Sequence, residues 1–454
     1  MTRNQKLAVG PIVALATGGA AALAGLPLAQ IATASVTGLC AAWWVLEPIP
    51  IPATSMIPFA AFPLAGVLSD KQVAKAYGHP MILLLMGGFM LSAAVAKSGV
   101  HRRLALGMVR AAGGGARSLV GGFMLASALA SMWISNTATT LVLLPVALAV
   151  IEGEGGRDLA LPLLLGVAYA ASIGGMATPI GTPPNLIFLG NYQQATGKAM
   201  TFLDWMRIGV PVVVLLLPIA WLWLTRGLGH HAAPTVPRTG GWRSAERRVL
   251  VVFALTAAAW IFRAAPAGGW SAALGLHGAG DSTVALAAVV ILFLLPDAGG
   301  EPLLDWATAR KIPWGLLLLF GGGLAISEAF KSSGLSTSLG AVFHDLSSLP
   351  MVVVTLSICL AVTFLTEVTS NTATTTLLMP ILVAAAGNAG LAPARLMIPA
   401  TLSASCAFML PVATAPNAIV AGTDYVTTRD MVRAGVVLNL VCAVGITAVC
   451  SLLL

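Results

Sequence analysis

The sequence predicts an all-α polytopic membrane protein of about eleven spans, built as an inverted repeat with two re-entrant hairpins and two broken transmembrane helices. Three observations carry that prediction. The chain of 454 residues is 58% hydrophobic and only 9% charged, with a mean hydropathy of +0.92, so it lacks the polar surface to cover a soluble globule of its size. Apolar runs of roughly 18 residues or more recur along the whole length and leave no room for a sizeable soluble domain. Second, Ser135-Asn136-Thr137-Ala138-Thr139-Thr140 returns 235 residues later as Ser370-Asn371-Thr372-Ala373-Thr374-Thr375, and Gly88, Gly99 and Pro145 fall on Gly323, Gly334 and Pro380 in the same register. Third, Thr182-Pro183-Pro184-Asn185 is answered by Thr414-Ala415-Pro416-Asn417, with Pro179 on Pro411 and Gly190 on Gly422, and Asp204, Arg207 and Gly209 match Asp430, Arg433 and Gly435. Hydrophobic halves interrupted by Gly and Pro at corresponding positions point to a transporter whose site lies between internal repeats.

Taken in order, residues 7–26 and 28–46 read as two helices joined at Pro27, the first a membrane helix in place of a cleaved signal, since no small-residue cleavage site followed by soluble sequence appears. The proline density from Trp43 to Pro52 forbids a regular helix and turns the chain into a third span to about Leu68. Asp70, Lys71 and Lys75 mark a polar connection to the run Met81–Ala96. Lys97, Arg102, Arg103, Arg110 and Arg117 then suit an amphipathic helix on a membrane surface. Residues 119–150 are long for one span and polar at the centre, which suits a hairpin with Ser135 at its tip. The run 160–192 is broken at Thr178-Pro179-Ile180-Gly181-Thr182-Pro183-Pro184, and irregular backbone at that depth is tolerated only where it lines a cavity. A span at 206–225 closes the first half.

The polar linker 226–248 joins the halves. Spans near 249–263 and 282–296, a polar break and the run Trp314–Val342 follow, then a hairpin at 350–386, a broken helix at 395–423 and a span at 431–454. The domain reading is therefore scaffold helices over 1–118 and 249–349, and transport elements over 119–225 and 350–454. Five passes separate the two motifs, and an odd number inverts the second copy. With the N-terminus cytoplasmic, roughly seventeen Lys and Arg lie inside against seven outside, in line with the positive-inside rule. The formal net charge of +8 thus serves topology, and nucleic acid is not an expected partner. Cys40, Cys359, Cys406, Cys442 and Cys450 lie in apolar runs without Cys-x-x-Cys spacing and read as core thiols. The six histidines read as solvated loop residues. Glu47 and Glu367 are intramembrane acids by position, expected to hydrogen-bond the proline-rich turn and the second hairpin rather than relay protons.

A Ser-Asn-Thr tip between half-helices offers hydroxyls, a carboxamide and free N–H groups where helix N-termini add partial positive charge, the parts of an anion site. The same hydroxyl and carbonyl oxygens suit a hard cation such as sodium. No Lys or Arg lies inside either motif, so a bound dianion needs co-bound cations to offset the cost of leaving water. Small polar residues also serve plain helix packing in membranes, but two in-register copies, each followed by a Pro-Asn break, argue for a site. No His-Glu-x-x-His, Gly-x-Ser-x-Gly or paired membrane aspartates suggest an intramembrane enzyme; a channel with re-entrant hairpins stays open as an alternative.

The paired Ser-Asn-Thr motifs, the two Pro-Asn breaks and the Trp43-Trp44 to Pro52 stretch resemble the divalent anion/sodium symporter family of di- and tricarboxylate transporters, over nearly the whole chain. The resemblance implies a homodimer of elevator transporters in the cytoplasmic membrane, carrying C4 dicarboxylates with Na+. It implies a first sodium site of Ser131, Ser135, Asn136 and Gly181, a second of Thr366, Thr369, Asn371 and Ala413, and substrate carboxylates held by Asn136, Thr137, Asn371, Thr372 and Thr414. Ala415 departs from the proline more usual in the family and bears on substrate preference. An anion exchanger, or a citrate or sulfate carrier, is the alternative within the fold. The inverted topology predicts that cysteines placed near Arg103 and Arg247 label only from the cytoplasmic side and one near Lys198 only from outside. Labelling of the Lys198 and Arg247 positions from one side would break the inverted repeat.

Overall fold

An apolar chain must satisfy its backbone groups internally in a bilayer, and the computed structural model is built of helices, with no strand of a sheet among the described residues. It describes residues 1–153, 157–229, 240–266, 268–340 and 349–454. Arg3–Leu23 and Leu28–Leu46 pack along each other as expected. The second ends at Glu47, which takes a left-handed conformation, φ 47°, just ahead of Pro48.

The proline-rich stretch does not become a full span. It forms two short helices, Ile51–Ser55 and Ile57–Leu64, which together reach only about 21 Å at 1.5 Å per residue. Trp44 Nε1 donates to Ser55 Oγ at 3.0 Å, Ser55 Oγ donates to the Ile51 carbonyl at 2.8 Å, and Tyr77 hydrogen-bonds the Ser55 carbonyl. The expected polar connection is also corrected: Ser69 caps a helix, Asp70–Tyr77, through a reciprocal bond with Gln72. It leads into Pro80–Ser98.

Gly99, at φ 79°, then redirects the chain into Val100–Ala111, the amphipathic helix the basic residues predicted. The run Trp314–Val342 repeats the device. It breaks at Gly334, φ 79°, into Trp314–Ser333 and Leu335–Gly340, where the sequence suggested one element. Residues 341 and 342 lie outside the described residues, as does the middle of the linker with His230, His231 and Arg238, and His344. His101 corrects the histidine reading: it is buried in the surface helix with Nδ1 3.0 Å from the Val95 carbonyl, and burial lowers its pKa from the usual value. His79 caps Pro80–Ser98 by accepting from Met81 N–H. The five cysteines are free and buried, as read.

Ion pairs knit the surface helix and the helix before it to the second half. Arg103 Nε lies 3.0 Å from Glu246 Oε2 and the same guanidinium donates to the Gly240 and Gly241 carbonyls. Lys97 Nζ, 2.6 Å from Asp305, holds that carboxyl down at about 2.

The hairpins form at the expected places. Ala116–Ser131 and Asn136–Ile151 make the first, and Met351–Thr366 and Asn371–Asn388 the second. Arms of 16 residues, and 18 in the last, reach only about 24–27 Å and fall short of a ~30 Å hydrocarbon core. The first broken helix comprises Ala160–Gly175 and Pro183–Thr196. The second comprises Ala394–Ser403 and a C-terminal half of only seven residues, Ala415–Ala421. Phe202–Thr225 and Thr428–Leu453 follow the breaks and pack on each other. Among the described residues six helices are long and apolar enough to cross a membrane, and the shorter ones build the hairpins and breaks.

Gly209 and Gly435, matched in the repeat, sit against the two breaks. A Cβ on Gly209 would lie 2.4 Å from the Met176 carbonyl oxygen, and one on Gly435 2.2 Å from that of Phe408. Backbone cannot yield as a side chain does, so Gly209→Ala and Gly435→Ala should each destabilise the protein by about 2 kcal/mol, read as a fall in melting temperature in detergent, whereas Gly107→Ala, which meets open space, should be neutral.

Candidate functional site

Four helix starts converge on one cavity of about 630 Å³. Its walls include Ser135, Asn136 and Thr137 of the first hairpin, Ser370, Asn371 and Thr372 of the second, Gly181 to Pro183 of the first break and Ala413 to Pro416 of the second. The helices beginning at Asn136, Pro183, Asn371 and Ala415 therefore turn their N-terminal ends, with partial positive charge, toward the same space. The hairpin tips are the main source of N–H groups there, since Pro183, Pro184 and Pro416 carry none and the Asn185 and Asn417 N–H groups are bonded to the Thr182 carbonyl and Thr414 hydroxyl. No Lys or Arg lines it.

The two tips are built alike. Ser131 Oγ donates to Asn136 Oδ1 at 2.6 Å, and Thr366 Oγ1 donates to Asn371 Oδ1 at 2.7 Å, five residues apart in both cases. Thr140 and Thr375 hydroxyls return to the Asn136 and Asn371 carbonyls at 2.9 and 2.8 Å. Each carboxamide is thus fixed by its own tip before any ligand arrives. Ser135 Oγ caps its helix by accepting from Ala138 N–H, while Thr369 Oγ1 donates to the Leu365 carbonyl at 2.8 Å and lies 2.5 Å from Thr374 Oγ1.

The breaks are held by the asparagines of the repeated Pro-Asn motif. Asn185 Nδ2 donates to the carbonyls of Gly175 and Thr178 at 3.0 and 2.7 Å. Asn417 Nδ2 donates to those of Ala407 and Leu410 at 2.9 and 3.0 Å. Trp205 Nε1 donates to the Met176 carbonyl at 2.9 Å, and Tyr169 Oη reaches across the repeats to the Phe408 carbonyl at 2.6 Å.

Glu367, at the second tip, does tie the hairpin to the break. Its carboxylate accepts from Phe408 N at 2.8 Å, Met409 N at 2.8 Å, Leu410 N at 2.9 Å and Asn439 Nδ2 at 2.7 Å. Glu47 departs from its expected role. It is exposed, lines the cavity and makes no hydrogen bond through its carboxylate among the described residues.

All of the residues named from the resemblance meet in one region. Asn136, Thr137, Asn371, Thr372 and Thr414 line the cavity, as do Ser135, Gly181, Thr369 and Ala413, with Ser131 and Thr366 buried directly behind the tip carboxamides. Ala415 also faces the cavity. The donor set fits a hard cation: hydroxyl, carboxamide and carbonyl oxygens, with no sulfur or imidazole. Space is kept for it at the first tip, where a Cβ on Gly175 would lie 2.7 Å from Asn136 Oδ1 and 3.2 Å from the Gly181 carbonyl oxygen. Sequence reasoning missed Tyr169, Trp205, Asn439 and the bridging role of Asn185 and Asn417. Asn439 could have been found as a carboxamide inside an apolar span.

A citrate transporter family model matches residues 41–394. The chain belongs to this family. The sodium-dependent dicarboxylate transporter SdcS of Staphylococcus saprophyticus is 37% identical over 440 residues, covering 91% of this chain and 84% of the relative. The protein of the same name from Staphylococcus aureus strain NCTC 8325 is 35% identical over 449 residues, covering 93% and 86%. These relatives uphold the resemblance to the divalent anion/sodium symporters. Among solved structures, the YdaH transporter of Alcanivorax borkumensis superposes with a TM-score of 0.62 at 16% identity, covering 84% of this chain and 86% of that one, which speaks for the fold. The chain is a multi-pass membrane transporter and not an enzyme.

The Gly175 contact yields a test of the tip. Gly175→Ala should displace the Asn136 carboxamide and lower ligand affinity at least tenfold, a loss of about 1.4 kcal/mol, in a protein that still purifies as a folded species; unchanged affinity would show that the first tip tolerates the methyl and that the carboxamide is not held in a fixed pose.

Proposed function

We propose that this protein is a sodium-coupled symporter of C4 dicarboxylates such as succinate, malate and fumarate. The observation that carries the reading is the convergence of four helix N-termini and two locked carboxamides on a cavity without a fixed cation. N-terminal dipoles and N–H groups suit the two carboxylates, and oxygen-only pockets at the tips suit the Na+ ions that offset the dianion's charge. The first ion is assigned to Ser131, Ser135, Asn136 and Gly181, the second to Thr366, Thr369, Asn371 and Ala413. The carboxylates are assigned to Asn136, Thr137, Asn371, Thr372 and Thr414. The cavity, worth about twenty waters at ~30 Å³ each, has room for a four-carbon diacid with water, and for a tricarboxylate. The staphylococcal relatives, sodium-dependent dicarboxylate transporters by name, support the same substrate class and ion.

In the same proposal the protein lies in the cytoplasmic membrane with its N-terminus inside and works as a homodimer of elevator units, residues 119–225 and 350–454 moving against 1–118 and 249–349, with the linker 226–248 on the cytoplasmic side. The test is uptake of succinate into proteoliposomes. An inward Na+ gradient should drive saturable uptake, and Asn136→Ala and Asn371→Ala should each reduce it at least a hundredfold in a protein of unchanged elution volume. Uptake that needs internal dicarboxylate but no Na+ would establish the exchanger instead. Competition by citrate or sulfate stronger than by malate would move the substrate class.

A further inference from the structure

Under the surface helix Val100–Ala111 lies a second cavity, of about 300 Å³, that shares no lining residue with the polar one. The surface helix contributes His101 and Leu104 to its wall, the first hairpin contributes Leu129, Ala130 and Trp133 just ahead of Ser135, and the helix Ser244–Ile261 contributes Phe253. Leu104 and Leu129 are each 40% exposed and mark its rim. An amphipathic surface helix beds about 5–10 Å into the boundary between headgroups and acyl chains, so this rim meets lipid rather than bulk water.

Two polar groups in an otherwise apolar wall decide what fits. His101 is 9% exposed, with Nδ1 3.0 Å from the Val95 carbonyl. A carbonyl can only accept, so Nδ1 carries the proton. Burial favours the neutral ring, and Nε2 is then an acceptor. Neither that Nε2 nor the Trp133 indole N–H has a hydrogen-bond partner among the described residues, and a buried polar group left unpaired is costly. Water answers this poorly, because a cavity the size of about ten waters at ~30 Å³ each offers polar partners to one, whereas a buried water makes about three hydrogen bonds. A single hydroxyl at the end of an apolar chain matches the wall, since it donates to the imidazole, can accept from the indole, and leaves the remaining volume to hydrocarbon.

We propose that this cavity binds a single-chain lipid with a free hydroxyl beside its chain, a monoacyl glycerolipid, the hydroxyl on His101 Nε2 and the chain along Leu129 and Phe253. A diacyl lipid suits it less, because both glycerol oxygens beside the chains are esterified and can donate no hydrogen bond, and the volume accommodates one chain. The bound chain touches the first hairpin within a few residues of Ser135 and, on its other side, a helix outside the hairpins and breaks. It therefore holds the first tip against that helix and slows transport without competing for the substrate. Binding stands independently of the symport reading; the effect on rate rests on it.

The experiment uses the full-length protein in phosphatidylcholine nanodiscs and a lysophosphatidylcholine whose chain carries a photoreactive diazirine, with labelled residues mapped by mass spectrometry. In wild type the label should concentrate on 100–108, 129–134 and 250–253. Ala130→Phe, which fills the cavity, and His101→Phe, which removes the acceptor, should each cut labelling there about tenfold, the size expected for one lost hydrogen bond to a buried group. A probe with its free hydroxyl methylated should label wild type as weakly. Leu104→Trp obstructs the rim from an exposed position and should give the same loss, so the inference stays testable where Ala130→Phe does not fold. Label spread evenly over the lipid-facing surface overturns the inference, as does equal labelling by the methylated probe or by a diacyl probe, or labelling unchanged in Leu104→Trp. In proteoliposomes the unlabelled monoacyl lipid should lower the maximal rate of succinate uptake at unchanged half-saturation in wild type and not in Leu104→Trp. Site labelling with no change in that rate overturns the regulatory step, while a wild type that takes up no succinate removes the symport reading and leaves the binding result standing.

Discussion

Two stretches of unwound chain at membrane depth impose the constraint on which the rest of the structure depends. Water is not there to satisfy them, and each orphaned peptide group in hydrocarbon costs several kcal/mol. Between Gly175 and Thr182, and between Ser403 and Thr414, the protein supplies five side-chain partners: the Asn185 and Asn417 carboxamides, the Trp205 indole, the Tyr169 phenol and the Glu367 carboxylate. Each partner comes from a different element. The spans after the breaks, the opposite repeat and the second hairpin are thereby fixed to the same irregular backbone, and the cavity inherits its shape from them.

The electrostatics of the cavity follow from how it is made. Breaking a helix creates a new N-terminus, and doing so twice, beside two hairpin tips, aims four N-termini at one space. Such a site draws an anion without spending a Lys or Arg on it. A fixed cation would hold the anion in every state of the protein, whereas oxygen pockets that bind a mobile ion make anion affinity conditional on that ion. Conditional affinity is what coupling means in free-energy terms, and it supports the proposed symport.

Much of this was legible in the sequence. The Ser-Asn-Thr and Pro-Asn repeats located both tips and both breaks, because the residue types needed for an unwound, polar turn in a bilayer are rare enough there to stand out. Gly99 and Gly334 were legible as a matched pair, and both prove to be left-handed hinges into surface or short helices. The failures have physical causes. The segment 51–68 has the composition of a span, but prolines at 52, 58 and 63 shorten and interrupt it. His101 carries a charge-bearing type into a buried face, since a surface helix hides one side against the hairpin and only the three-dimensional packing says which. Glu47 and Glu367 looked alike in sequence, and only the packing separates the exposed acid from the buried one.

The packing around the tips also bears on how access to the site can alternate. At Gly174, Gly209 and Gly435 a Cβ would fall within 2.5 Å of backbone on a neighbouring element, so main chain runs against main chain there with no side chain to slide. The tip carboxamides are bonded within their own hairpins and the breaks are bonded to both repeats. A tip that opened on its own would lose these contacts together, leaving buried peptide groups without partners at several kcal/mol. The remaining helices meet this unit through mixed contacts: Trp133 packs edge to face on Phe253 at 5.3 Å, Gln194 Nε2 donates to Glu328 Oε2 at 2.7 Å and Phe202 N–H donates to Asp281 Oδ2 at 3.2 Å. Contacts within the tips and breaks are thus kept together or lost together, which favours hairpins and broken helices that keep their mutual packing over a gate at either tip and agrees with the proposed elevator.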